Sequence, residues 1–171
     1  DVSNVRPSAS SQIYDVHGNL ITTVHSTENR LPVPLKDVPK DLQNAFVATE
    51  DSRFYTHHGI DPIGILRAVW VNIVHSGVSE GGSTITQQLA RNAFLSQDRT
   101  FKRKISEALL ALKIEQHYTK DEILEMYMNQ IYFGQGAYGV QSASHVYFGK
   151  DASELTLAQA ALIAGLPQSP N

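Results

Sequence analysis

The sequence contains no cysteine, so the chain can form neither a disulfide framework nor a thiolate metal site. It also lacks an excess of basic residues, because its formal net charge is −3 and both signs are interspersed along the chain. Proteins that bind nucleic acid normally carry a basic stripe or a basic excess. These two absences exclude a disulfide-rich scaffold and argue against a nucleic-acid partner.

Long apolar runs are missing as well. The most apolar stretch, IGILRAVWVNIV, is interrupted by Arg67 and Asn72, whereas a spanning helix needs roughly 18 uninterrupted apolar residues. No signal peptide is visible either. Since the chain runs from Asp1 to Asn171 without such segments, we expect it to be a fragment of a longer protein. Its length suffices for one domain with one core.

The residue pattern predicts a mainly α protein with a small N-terminal β-hairpin. Two β-rich runs in SQIYDVHGNLITTVH flank turn-forming residues at 17–19. We expect residues 1–37 to form this β element and a linker, and residues 38–171 to form the helical part of a single domain. The predicted helix starts have cap spacing, at Asp61 before Pro62, and in Thr84 with Gln87, Thr119 with Glu122, and Thr156 with Gln159.

One segment, GGSTITQQLARN, is rich in hydroxyl and amide side chains, has a single base and contains no acid. Thr84 and Gln87 can cap the helix that follows, which accounts for two of its polar groups. A polar face at a helix N-terminus favours anions, so we predict a cradle for phosphate or sugar. Its face residues would be Gln88, Arg91 and Asn92.

Two acidic residues, Glu50 and Glu107, occupy positions that suit a catalytic role. Glu50 lies one helical turn after Phe46, at the margin of an apolar stripe, where partial burial would suit it to proton transfer. Glu107 shares a helix face with apolar residues and needs a partner, which Arg103 and Lys104 can supply from within one turn. Each also has an ordinary interpretation, Glu50 as a capping or ion-paired surface acid and Glu107 as half of an internal ion pair.

Five segments follow one another along the chain: EDSRFYTHHG, GGSTITQQLARN, RKISE, KDEILEMYMNQIYFGQGAYGV and LTLAQAALIAGLPQSP. In this order they resemble the peptidoglycan glycosyltransferase family, the polymerase domain of class A penicillin-binding proteins and of monofunctional transglycosylases. The resemblance runs from about Val38 to the last residue. It implies a lysozyme-like bilobal helical domain with head and jaw lobes, and a reaction that polymerises lipid II and releases undecaprenyl pyrophosphate.

The resemblance also implies roles for individual residues. Glu50 would be the base that deprotonates the 4-hydroxyl of the acceptor sugar, in an inverting single displacement. Glu107 would assist around the donor and the departing pyrophosphate. Arg91 stands where the family often has lysine, which keeps the charge but changes its geometry. The substrate-binding residues would be Asp51, Phe54, His57, Ser83, Thr84, Gln87, Gln88, Arg91, Asn92, Arg99, Arg103, Lys104 and Asn129.

The cofactors and partners follow from the same resemblance. No cofactor is required, although a divalent cation, Mg²⁺ or Mn²⁺, is compatible with pyrophosphate chemistry, and His57 and His58 lack the spacing of a metal site. The expected partners are lipid II, the growing glycan strand and the bacterial membrane surface, with no nucleic acid. The full-length protein would lie at the outer face of the cytoplasmic membrane, held by an N-terminal transmembrane helix, and bifunctional members add a transpeptidase domain.

Two alternatives stay open on the sequence. A lysozyme-like glycan-cleaving enzyme, such as a lytic transglycosylase, needs one acid and glycan subsites but has no need of the basic cluster. A non-catalytic module that binds cell wall or membrane does not require Glu50 and Glu107 to converge.

The segment DPIGILRAVWVNIVHSG carries a wide apolar stripe. In a soluble domain such a stripe would be core. The resemblance places it in the jaw lobe, so we expect part of it to be exposed and to enter the membrane interface near Trp70. The stripe consists of Ile63, Leu66, Trp70, Ile73 and Val74.

Overall fold

The computed structural model describes residues 11–14, 17, 20–24, 29–74, 82–94 and 100–168. Most of these residues are helical, so the predicted mainly α fold is confirmed. The helices in the described ranges are α1 (Lys40–Glu50), α2 (Pro62–Val74), α3 (Ile85–Phe94), α4 (Phe101–His117), α5 (Lys120–Gln130), α6 (Val140–Phe148) and α7 (Leu157–Gly165). Short 3₁₀ turns lie at Leu35–Asp37, Ala152–Glu154 and Leu166–Gln168.

The β structure is confined to two pairs of short strands. β1 (Ser11–Tyr14) and β2 (Leu20–Val24) pair antiparallel, which agrees with the hairpin predicted from the sequence. Of the predicted turn, only His17 lies among the described residues. β3 (Asn29–Arg30) pairs in parallel with β4 (Ala137–Tyr138), so the segment before α1 is attached to the loop after α5.

The chain divides into two compact units. The first unit comprises Asp1–Phe46 and Glu125–Asn171, and the second comprises Val47–Leu124. The boundaries fall inside α1 and α5, so each of these helices contributes to both units. The sequence predicted a boundary between residues 37 and 38 within a single domain, and that organisation stays a prediction.

The first unit is built around buried aromatic rings. Phe46 packs edge-on against Tyr127 and Phe133, with ring centroids 6.2 and 5.9 Å apart. Asn129, on α5, pairs with the backbone of Val33: its Oδ1 accepts the N–H at 2.9 Å and its Nδ2 donates to the C=O at 2.8 Å. These contacts attach the extended segment before α1 to α5.

The second unit packs α3 against α4 around a mostly aliphatic core. Its helix starts follow the predicted caps: Asp61 Oδ1 accepts the N–H of Ile63 at 3.2 Å, and Thr119 and Glu122 form the predicted box at the start of α5. Local side-chain bonds therefore fix where these helices begin. The buried residues include Phe54, Ile85, Leu89, Ala90, Ala111, Ile114, Ile123 and Leu124.

Helix α2 contributes little to this core. Leu66 and Trp70 are each 70% exposed and Ile73 is 69% exposed, whereas Ala68 is buried. The expectation that part of the apolar stripe stays exposed is therefore confirmed. Among the described helices, none has the length and apolarity required to cross a membrane.

Candidate active site

Glu50 is the last residue of α1 and lies half-buried in the second unit. Its Oε2 accepts a hydrogen bond from Gln88 Nε2 at 3.0 Å. Its Oε1 is buried and has no hydrogen-bond partner among the described residues. The predicted partial burial is confirmed, and one carboxylate oxygen makes no hydrogen bond within the described part of the chain.

The first turn of α3 is held by the predicted capping box. The Gln87 N–H donates to Thr84 Oγ1 at 3.1 Å, and the Thr84 N–H donates to Gln87 Oε1 at 2.9 Å. The Thr84 hydroxyl in turn donates to the carbonyl of Gly59 at 2.7 Å. Gly59 has φ +87°, and a Cβ there would lie 3.0 Å from the backbone of Ala111, so this close approach requires glycine.

Asp51 attaches the loop that follows α1 to the start of α3. Its Oδ2 accepts the N–H of Ile85 at 3.0 Å and lies 2.8 Å from His57 Nε2. Because the Gly59 N–H donates to His57 Nδ1 at 3.2 Å, that nitrogen is unprotonated and Nε2 carries the proton that Asp51 accepts. The carboxylate satisfies an N–H that the helix leaves unpaired and complements the helix dipole. Asp51 and His57 thus position α3.

Glu107 lies on α4 with no exposed surface and is paired with two cations. Lys104 Nζ donates to its Oε1 at 2.6 Å, and Arg103 Nη1 lies 3.5 Å from its Oε2. Lys104 Nζ also donates to Ser83 Oγ at 2.6 Å. Both predicted partners are confirmed, and Lys104 is the closer one. Arg103 Nε and Glu107 Oε2 are buried without a hydrogen bond in the described part of the chain.

The polar segment before and within α3 connects the two carboxylates. Ser83 bonds to the Lys104 that holds Glu107, and Gln88 bonds to Glu50. Two separate sets of hydrogen bonds therefore attach this segment to an acid on α1 and to an ion pair on α4 within the second unit. A non-catalytic module does not require both acids beside one segment.

The other residues predicted to bind substrate differ in burial and in the unit to which they belong. Phe54 is fully buried and lies edge-on to the His57 ring at 6.2 Å, which gives it a packing role in this structure. Arg91 is half-buried and Asn92 is exposed on α3, and Asn129 belongs to the first unit. Arg99 lies outside the described residues. Binding of substrate by these residues stays a prediction.

A second buried hydrogen-bond network beside α3 was not predicted from the sequence. Glu115 Oε1 accepts hydrogen bonds from Thr86 Oγ1 at 2.6 Å and from Lys120 Nζ at 2.7 Å. Thr86 directly follows the first residue of α3, whereas Glu115 and Lys120 flank the break between α4 and α5. The one available signal was an acid next to the apolar Ile114, near the end of the predicted helix. Because α4 is exposed along much of its length, such an acid does not by itself indicate a buried partner.

Tyr55 attaches the loop after α1 to α5. Its hydroxyl donates to Asp121 Oδ1 at 3.2 Å. Partial burial raises the pKa of Tyr55 above 10.0, and the charge of Asp121 and its hydrogen bond act in the same direction. The hydroxyl therefore stays protonated and keeps donating near neutral pH.

Comparison with known proteins gives a consistent match. Residues 17–171 match the family model described as Transglycosylase. Penicillin-binding protein 1A of Escherichia coli (strain K12) is 54% identical over 170 residues, which cover 99% of this chain and 20% of that protein. Penicillin-binding protein 1F of Bacillus subtilis (strain 168) is 50% identical over 163 residues, which cover 95% of this chain and 23% of that protein.

A crystal structure of Penicillin-Binding Protein 1A from Haemophilus influenzae is also similar. It shows 29% sequence identity and a TM-score of 0.46, and the match covers 98% of this chain and 15% of that one. The chain thus spans less than a quarter of the relatives it matches. Since the family model covers most of the chain, the chain belongs to the transglycosylase family, the peptidoglycan glycosyltransferases that its sequence motifs resemble.

Proposed function

We propose that this domain joins lipid II units into glycan strands and releases undecaprenyl pyrophosphate, with Glu50 as the base. The observation that carries the proposal is the environment of Glu50. Its Oε2 is oriented by Gln88, and its buried Oε1 has no partner among the described residues. A carboxylate held in this way can accept a proton from a hydroxyl placed next to it.

The proposed reaction is a single displacement. The 4-hydroxyl of the acceptor sugar attacks C1 of the donor from the face opposite the leaving group, since an α-linked donor gives a β-linked product. The proton passes to Glu50, the O4–C1 bond forms, and the bond from C1 to the pyrophosphate oxygen breaks with both electrons moving onto the leaving group. Lys104 and Arg103 supply positive charge where the pyrophosphate gains negative charge.

Incubation with labelled lipid II distinguishes this proposal from its alternatives. Long glycan products support a polymerase. Shortening of preformed glycan without use of lipid II would indicate a lytic transglycosylase. Binding of lipid II or glycan without turnover would indicate a non-catalytic module. The cluster around Lys104 favours the polymerase, because cleavage of an uncharged glycan has no use for it.

Removal of the charge at Lys104 should impair use of the donor more than folding. Lys104 is the closer partner of buried Glu107, and alanine would leave that carboxylate without a donor at this position, so Lys104→Gln is the better variant. The amide can still donate a hydrogen bond but carries no charge. We expect kcat/KM for lipid II to fall by about tenfold, the scale of one charge-assisted hydrogen bond. Initial rates and melting temperatures measure the two effects.

The matched control is Lys113→Gln, which removes an exposed lysine from the same helix. It should leave both the rate and the melting temperature at wild-type values. If Lys104→Gln polymerises lipid II as fast as Lys113→Gln does, Lys104 does not belong to the donor site.

We also propose that α2 inserts its exposed face into the membrane interface. Leu66, Trp70 and Ile73 expose apolar surface on one helix, which favours contact with lipid. Trp70 is the only tryptophan in the chain, so its fluorescence reports on this face alone. We expect the emission of Trp70 to shift to shorter wavelength when lipid vesicles are added. Leu66→Ser should make this shift smaller. The control is Leu162→Ser, which changes a leucine that is 64% exposed on α7.

The vesicle experiment has a clear opposite result. Trp70 emission that does not change with vesicles, under conditions where the protein still uses lipid II, would remove α2 from the membrane contact. If Leu162→Ser loses as much vesicle binding as Leu66→Ser does, the contact is nonspecific hydrophobic binding.

The role of the whole protein is part of the same proposal. We propose that it works at the outer face of the bacterial cytoplasmic membrane on lipid II and the growing strand, and that a transmembrane anchor and a transpeptidase domain accompany this domain. The proposed chemistry requires no cofactor, and Mg²⁺ or Mn²⁺ is compatible with the pyrophosphate end. The described residues contain no group of three or more His, Asp or Glu side chains arranged for a metal.

A further inference from the structure

The Glu115 carboxylate is a buried charge that the proposed chemistry does not use. Its side chain is 7% exposed, and its Oε1 is bonded both to Lys120 and to the hydroxyl of Thr86, which is fully buried. Lys120 Nζ also lies 4.6 Å from the centroid of the Phe54 ring. Burial of a carboxylate is costly without such partners. The network therefore holds Glu115 in one place, and Glu115 in turn holds Thr86.

Thr86 and Gln88 lie on nearly opposite sides of α3. Two residues correspond to about 200° of rotation in a helix with 3.6 residues per turn. On one side Thr86 donates to Glu115, and on the other Gln88 donates to Glu50. A rotation of the first turn about the helix axis would therefore strain both bonds together.

Other bonds at the start of α3 act differently. Asp51 accepts the N–H of Ile85, and the Thr84 hydroxyl donates to the carbonyl of Gly59. Both bonds hold the N-terminal end of α3, but they are made by residues that precede Thr86. The bond between Thr86 and Glu115 lies within the turn that contains Gln88 and therefore bears directly on its rotation.

From this geometry we infer that Glu115 is a positioning residue for the transferase reaction, acting through Thr86 to set where Gln88 meets the base Glu50. The inference rests on the proposed function, in which Glu50 accepts the proton. Glu115 itself does not touch the reacting atoms. Loss of the bond to Thr86 should therefore lower turnover without changing how tightly lipid II binds.

The direct test is Thr86→Val in the full-length protein. Valine replaces the hydroxyl with a methyl group of similar size and leaves Glu115 paired with Lys120. We expect kcat for lipid II polymerisation to fall about tenfold while KM stays at the wild-type value, as for an interaction that matters in the transition state. Thr86→Ser keeps the hydroxyl and should restore the wild-type kcat.

A double-mutant cycle separates positioning from stability. If Thr86 acts through Gln88, Thr86→Val should cause no further loss of kcat in a Gln88→Ala background. Equal losses in both backgrounds, or a wild-type kcat for Thr86→Val, would overturn the inference. Should Thr86→Val fail to fold, Glu115→Ala removes the same bond from the other side and must show the same dependence on Gln88.

The cycle also distinguishes this inference from the proposed function. The role of Glu115 alone would be overturned by one pattern of rates. In that pattern the wild type polymerises lipid II, Gln88→Ala has a lowered kcat, and Thr86→Val has the wild-type kcat. A wild-type protein that does not polymerise lipid II would overturn the proposed function itself.

Discussion

Glu50→Gln is expected to lower the rate of lipid II polymerisation by about 10²–10⁴-fold, the usual cost of losing a general base. The amide keeps the shape of the carboxylate and can still accept a hydrogen bond from Gln88. It cannot take the proton of the acceptor hydroxyl. Affinity for the donor end and the melting temperature should therefore stay at wild-type values, and initial rates of glycan formation from labelled lipid II measure the loss.

The matched control is Glu122→Gln, an exposed acid in the capping box of α5. The backbone hydrogen bond from Thr119 lowers the pKa of Glu122 below 4.5, so this variant also removes a full negative charge at neutral pH. The amide oxygen can accept the same bond, and the rate should be that of the wild type. A Glu50→Gln protein with the same rate as this control would refute Glu50 as the base.

Glu107→Gln is expected to reduce kcat/KM for lipid II by about 10²-fold, because two charge-assisted contacts lose their anchor. The carboxylate holds Lys104 at 2.6 Å and Arg103 at 3.5 Å, and a neutral amide attracts neither as strongly. Binding of the pyrophosphate end should weaken together with turnover. The melting temperature should change less than the activity does, since a neutral amide costs less to bury than a carboxylate.

Binding of a polyprenyl pyrophosphate, measured by calorimetry, checks this prediction beside the rate. Glu122→Gln again serves as the control for the loss of one acid. If turnover falls in Glu107→Gln while the affinity stays at the wild-type value, Glu107 acts in proton transfer and the division of roles is wrong.

Helix starts were predictable because each cap depends on residues close in sequence. Thr84 and Gln87 are three apart, and their reciprocal bonds place the start of α3 at Ile85. The same holds for Thr119 and Glu122 at α5. The burial of Glu107 was also predictable, since helical spacing places it among apolar residues beside two cations.

Contacts between helices were not predictable from spacing. Ser83 and Thr86 look alike in the sequence, yet one bonds to Lys104 and the other to Glu115, and both partners lie on α4. The pairing depends on how α3 rotates against α4, which involves the whole core of the second unit. Asp51 was predicted to bind substrate, and its place under the N–H of Ile85 depends on the same packing.

The exposed face of α2 shows a different limit. Its apolar pattern is that of a core helix, and hydrophobicity alone favours burial. Only the family resemblance indicated that Trp70 would be exposed, and the structure confirms the exposure. A residue pattern states which face is apolar, but not what covers that face.

The most direct test of the central claim compares two numbers in two variants: the rate of lipid II polymerisation and the dissociation constant of a polyprenyl pyrophosphate. We predict that Glu50→Gln polymerises lipid II much more slowly but keeps its affinity for the polyprenyl pyrophosphate, because the Glu50 carboxylate serves the acceptor. We predict that Glu107→Gln loses both the rate and the affinity, because the Glu107 carboxylate anchors the cations that receive pyrophosphate. The same pattern of losses in both variants, or a Glu50→Gln variant that polymerises normally, would contradict the claim.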